Sequence, residues 1–147
     1  MPIKSFRGLI KSGTQDIILL HTNDGSTGYR IVKFQTMPKD STADYELTTK
    51  IYTVSQSTID EDVDFSDQTL LGTSFIGIIG GAYAGQKTII HDNMVFNQDI
   101  YLTSIDISGG AAQDTNYYIE LEQIKLDLTE NTVATLKDIR NIESQSS

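Results

Sequence analysis

The stretch from Asn97 to Leu128 constrains this chain most. It reads Asn-Gln-Asp-Ile-Tyr-Leu-Thr-Ser-Ile-Asp-Ile-Ser, then Gly-Gly-Ala-Ala-Gln-Asp-Thr, then Asn-Tyr-Tyr-Ile-Glu-Leu-Glu-Gln-Ile-Lys-Leu-Asp-Leu. Two runs rich in β-branched and aromatic residues flank small and polar residues that include Gly109 and Gly110. The pattern predicts an antiparallel hairpin with a longer connection, and with it a mostly β fold. Ile119 and Leu121 alternate with Glu120 and Glu122, but beyond them the apolar positions are Ile124, Leu126 and Leu128. Side chains of a strand alternate strictly, so this change of parity predicts a bulge or a crossing between sheets near Glu122–Gln123. A straight strand with a mixed face is the alternative.

Upstream, short β-like runs are separated by turn signals. Ile3–Ile10 reads as a first strand interrupted by Gly8. Asp16–Thr22 is a continuous apolar run, as expected of a strand buried on both faces. Asn23-Asp-Gly-Ser predicts a tight turn. It leads into Gly28–Met37, where Val32 and Phe34 share a face with Arg30, and Pro38 closes the strand. Tyr45–Val54 follows, with Tyr45, Leu47 and Ile51 on one side and Tyr52 and Val54 on the other. Thr69–Ile79 is the next strand, ending in Gly80-Gly-Ala-Tyr-Ala-Gly, which reads as a flexible loop, and Gln86–His91 is another short strand.

From Leu128 onward the spacing changes. Val133, Leu136, Ile139 and Ile142 recur every three residues, and Lys137 and Arg140 fall late in the run, where cations suit a helix dipole. This predicts one short C-terminal helix, capped by Thr129 or Asn131, with a final strand as the competing reading. The whole is an expected all-β single domain over residues 1–147, an antiparallel β-sandwich or jelly roll with that one helix. At 147 residues such a domain can bury a full core.

Charge and composition narrow the partners. Twenty acidic against 11 basic side chains give a net charge of -9, which argues against nucleic-acid and anionic-membrane partners. No run is long and apolar enough to span a bilayer, and the N-terminal Met-Pro-Ile-Lys-Ser-Phe-Arg-Gly does not read as a signal peptide. With no cysteine, disulfides and thiolate metal sites are excluded.

Four features have residue types that could carry chemistry. Gly80 and Gly85 have the spacing of a phosphate-binding loop, but Gln86 displaces Lys87 by one residue and the following Thr-Ile-Ile-His suits a strand, not the helix such a loop needs. Asp60, Asp62, Asp64 and Asp67 form the weak Ca²⁺ candidate, a run of oxygen ligands without the glycine and glutamate of a helix–loop–helix site. A solvated charge run is the plainer reading. His21 and His91 are the two imidazoles and lack a neighbouring acid–nucleophile motif. Tyr117 and Tyr118 must point to opposite faces, one inward and one outward, where a ring could stack on a sugar. No catalytic residue and no cofactor is expected, and an enzyme ranks last among the readings.

Gly28-Tyr-Arg-Ile-Val-Lys-Phe-Gln with Met37-Pro38, Val63-Asp-Phe-Ser-Asp-Gln-Thr-Leu-Leu-Gly, Asn97-Gln-Asp-Ile-Tyr-Leu-Thr, and Asn116-Tyr-Tyr-Ile-Glu-Leu-Glu through Thr135-Leu-Lys-Asp-Ile-Arg carry a resemblance. Over residues 5–141 the chain resembles small virion structural proteins of tailed bacteriophages, particularly marine ones. The resemblance implies an all-β viral protein made in the bacterial cytoplasm, located in the virion and assembled in many copies as a homo-oligomer. It implies binding to the major capsid protein or other virion proteins, first as a capsid decoration protein and next as a tail, collar or fibre-attachment component. It implies no site residues. A carbohydrate-binding β-sandwich for host attachment is the reading from a different class.

Overall fold

The computed structural model describes residues 2–20, 26–42, 44–80, 82–91, 93–109 and 111–126. The expected C-terminal helix lies outside them, as do His21, Asp92 and most of the Asn23–Ser26 turn.

Eight strands form two antiparallel sheets: β1 (Ile3–Ile10), β2 (Thr14–Ile18), β3 (Thr27–Pro38), β4 (Tyr45–Tyr52), β5 (Leu70–Ile79), β6 (Ala82–Ile90), β7 (Ile100–Asp106) and β8 (Thr115–Lys125). The small sheet has the order β1-β8-β3 and the large one β2-β7-β4-β5-β6. The fold is all-β, as the turn spacing indicates, and it is a sandwich. Pairing of β1 with β8, β2 with β7 and β4 with β5 is the pattern of a long hairpin rolled up on itself, as in jelly rolls. A complete roll would also pair β3 with β6. Here β6 stays beside β5.

The turn at Gly80 explains why. Ile79 is in register with Ala82, so the turn from β5 into β6 is tight, and Gly80 has a φ of 59° that side chains disfavour. Asp44 accepts a hydrogen bond from the Gly80 N–H at 3.1 Å and holds the turn against the chain before β4. The expected flexible loop over Gly80–Gly85 is therefore a tight hairpin, with strand resuming at Ala82. A register shift past Gly77 leaves Gly85 at a φ of 126°, a second place where only glycine is unstrained.

The Asn97–Leu128 stretch needs correction too. Its two halves are strands, but they do not pair with each other: β7 lies in the large sheet and β8 in the small one. The connection crosses the sandwich, so Ser104 and Thr115 face one another with their hydroxyls 3.0 Å apart. The parity change in β8 is not a bulge either. Its ladder to β3 runs unbroken through Glu122–Gln123, and its ladder to β1 is regular up to its end at Glu122. The irregularity lies opposite, on β3 between Ile31 and Lys33, where Val32 is left unpaired and turned outward. Ile31 and Phe34 thus both reach the core, and Val32 does not share a face with Phe34 as the alternation implied. Leu126 meets an apolar neighbour on the outer face instead: a Cβ on Gly28 would lie 2.9 Å from Val95 and 3.2 Å from Leu126.

β2 is a third correction. It is an edge strand with one buried face, Ile18 and Leu20 inside and Ile17 and Leu19 more than half exposed. The core proper joins Ile10, Ile18, Ile31, Phe34, Ile51, Leu71, Ile100, Leu102, Ile119 and Leu121 from both sheets. A smaller cluster, Tyr45, Leu47 and Ile76, stands apart. A belt of hydroxyls divides them. Register places Thr14, Ser104, Thr49, Ser74 and Thr88 in one row across all five strands of the large sheet. Thr115 and Thr36 meet that row from the small sheet, Thr36 at 2.6 Å from Ser74, and Ser104 also reaches Thr49 at 3.2 Å. A hydroxyl can both donate and accept, and Ser74 and Ser104 each join two others in this way where apolar packing lapses, Ser74 with Thr36 and Thr88 and Ser104 with Thr49 and Thr115.

Candidate functional site

The loop joining β4 to β5, residues 53–69, folds across the outer face of the large sheet, and one lysine holds it there. Lys50 alternates outward from Thr49 and Ile51, yet its side chain is only 3% exposed. Its Nζ donates to Asp60 Oδ1 at 3.0 Å and to the Asp62 carbonyl at 2.6 Å, and lies 5.6 Å from the Tyr52 ring centre. Burial alone would lower its pKa, but the contacts with Tyr52 and the Asp60 carboxylate outweigh burial and leave it raised. Burial in turn raises the Tyr52 phenol.

The four carboxylates of the Ca²⁺ candidate are not brought together. Asp60 serves Lys50. Asp64 accepts from the Ser66 N–H and hydroxyl, and Asp67 from those of Thr69, each closing a small turn of its own chain. The hydrogen bonds to Ser66 hold Asp64 below the usual carboxylate range. Asp62 contributes its backbone carbonyl to Lys50. Among the described residues no three histidine, aspartate or glutamate side chains are grouped to hold a metal. His91 sits edge-on to Phe65, with ring centres 5.4 Å apart.

Thr103 and Thr73 lie on either side of Lys50 in the ladder, and both hydroxyls are buried without a hydrogen-bond partner. Valine has nearly the same shape and nothing to satisfy. Thr103→Val is expected to leave stability unchanged or to raise it by about 1 kcal/mol, read as a shift in the urea midpoint at constant slope. A loss above that size would mean that the hydroxyl is in use.

Two hollows flank β6. The larger, about 570 Å³, draws its walls from all three strands of the small sheet, including Arg7, Gln35, Met37, Asn116 and Tyr118, and from Gln86 of β6. The adjacent tyrosines face opposite sides, Tyr117 inward and Tyr118 outward, and Tyr117 lies over Gly8, where a Cβ would come within 2.7 Å of its hydroxyl. The Tyr118 hydroxyl donates to Glu120 at 2.5 Å, which raises its pKa, and Lys33 stands 5.9 Å from the ring centre. The smaller hollow, about 350 Å³, is apolar. Val63, Phe65, Phe75 and Ile89 form its walls, with Thr73, Lys87 and the same Gln86 beside them.

No known family matches. Comparison with protein-family profiles and with curated proteins finds no significant similarity to either. The geometry offers an aromatic ring among polar side chains on one side of β6, and an apolar groove on the other. Sequence reading missed both Lys50 and the groove. The signals were there: a lysine inside a strand with an aromatic neighbour two residues on, and Val63 and Phe65 alternating with Asp62 and Asp64 in a loop otherwise polar.

Proposed function

We propose that this chain is a non-enzymatic structural component of a tailed-phage virion, a capsid decoration protein that binds the major capsid protein and stabilises the head. The observation that supports this most is the state of the sheet edges. Ile17 and Leu19 are exposed along β2, and Phe65 and Ile89 beside β6, so apolar side chains border strands that lack a neighbour on one side among the described residues. Such edges pair readily with another chain, and assembly is the ordinary way of covering them. The resemblance of residues 5–141 to small virion proteins points the same way. A tail, collar or fibre-attachment role uses the same surfaces. Immunogold labelling of purified particles with antibody to the chain separates these roles, with label over heads expected. Label confined to tails would move the protein there.

A carbohydrate-binding role is the second reading, and the Tyr118 hollow favours it. An outward ring flanked by Arg7, Gln35 and Asn116 offers a stacking face beside hydrogen-bonding groups. A glycan array with and without chelator tests it, and silence under both conditions would eliminate it.

A further inference from the structure

We infer that β6 is a docking edge for an extended segment of a partner protein, which adds to the large sheet as its sixth strand. β6 is the last strand of its sheet, and the pairing with β3 that would close the roll is not made. Its outer row of N–H and C=O groups therefore has no partner strand among the described residues. Hollows open on both sides of that edge, and Gln86 lines both. This is the arrangement that strand addition requires, because successive side chains of an added strand point to opposite faces. Alternate residues would enter the apolar groove of Val63, Phe65, Phe75 and Ile89. Those between them would enter the larger hollow at Gln35, Met37 and Asn116. Phe65 is 58% exposed, a large cost-free contact awaiting cover.

Charge selects the occupant. The loop that forms one wall of the groove carries exposed Glu61, Asp62 and Asp64 in sequence beside Val63 and Phe65, against the single Lys87 in the groove's lining. Two copies of this chain joined edge to edge would bring two such loops together, each from a chain of net charge -9. A segment of alternating apolar and polar residues with Lys or Arg near its ends meets the same loop with attraction. The inference deepens the structural reading above by naming its contact surface. Its test is separate, however, because peptide binding and presence in particles are measured independently.

The test begins with selection of a ribosome-displayed library of random peptides, about twelve residues long, on the immobilised full-length chain, a span that covers one ordinary strand. Enriched sequences are expected to alternate apolar and polar residues and to carry basic ends. A synthesised winner is expected to bind with Kd on the order of tens of micromolar, more weakly at high salt, and to protect β6 amides from hydrogen exchange. Phe65→Ser and Ile89→Thr should each weaken it about tenfold, and Leu19→Ser on the opposite edge should not. Failure to enrich, or winners indifferent to Phe65→Ser, would overturn the inference. Concentration-dependent dimerisation abolished by Phe65→Ser would also overturn it, and would give the groove to a second copy.

Discussion

Asp106→Ala is expected to cost about 3 kcal/mol of stability, the largest effect of any change outside the apolar core, because hydrogen bonds to a charged acceptor are the strong ones. The carboxylate ends β7 and gathers three backbone donors: the N–H of Glu46 at 3.0 Å, of Ser108 at 3.0 Å and of Gln113 at 2.8 Å. It thereby ties the start of β4 to both ends of the connection that crosses the sandwich. Alanine leaves all three donors without their acceptor in a partly buried place. The pH dependence follows. Burial alone would raise the carboxyl, but the backbone donors outweigh it and the pKa is lowered. A group lowered on folding contributes stability above its unfolded value, near 3.9. That contribution is lost as pH falls through the folded value. Urea midpoints taken from neutral pH down into this range should therefore fall less steeply in Asp106→Ala than in the parent. Parallel curves would mean that Asp106 is not the group responsible.

Lys50→Ala is the second large effect, about 2–3 kcal/mol, the cost of emptying a filled site and releasing the groups it held. The cost falls below that of breaking a fully buried pair because Asp60 is 41% exposed and recovers water when its partner goes. The characteristic result is local. Without the ammonium, residues 53–69 lose their hold on the sheet, so limited proteolysis should cut within them well before the parent is cut anywhere. Lys50→Met keeps the stem and should regain about half the stability but not the protection of the loop. The lysine's raised pKa sets the opposite pH window from that of Asp106. Its contribution is complete below the unfolded value, near 10.4, and is lost as pH rises through the folded one. Cleavage of Lys50→Ala at the parent's rate would contradict this role.

Strand positions were largely legible in the sequence, because a half-buried strand prints its alternation on the chain. Tyr45, Leu47 and Ile51 point inward as their spacing requires. Pairing was less legible. The crossing of β7 and β8 between sheets looks like a hairpin in sequence, since a connection of this length can close either structure. The bulge at Val32 left no mark on β8, whose change of parity is that of a straight strand with a mixed face. The hydroxyl belt is invisible without register: Thr14, Thr49, Ser74, Thr88 and Ser104 are scattered along the chain and meet only when five strands align. Lys50 is a related case: it alternates outward from Thr49 and Ile51 and is buried by a loop that pattern does not place. The groove beside β6 depends on that same loop folding across the sheet, which no local window contains.

The most direct test of the proposed virion role is the copy number of this chain in gradient-purified phage particles, by quantitative mass spectrometry normalised to the major capsid protein. Hundreds of copies per particle are expected of a head decoration protein bound across the capsid lattice. Complete absence from the particles would contradict the virion role and leave the carbohydrate-binding reading of the Tyr118 hollow in its place.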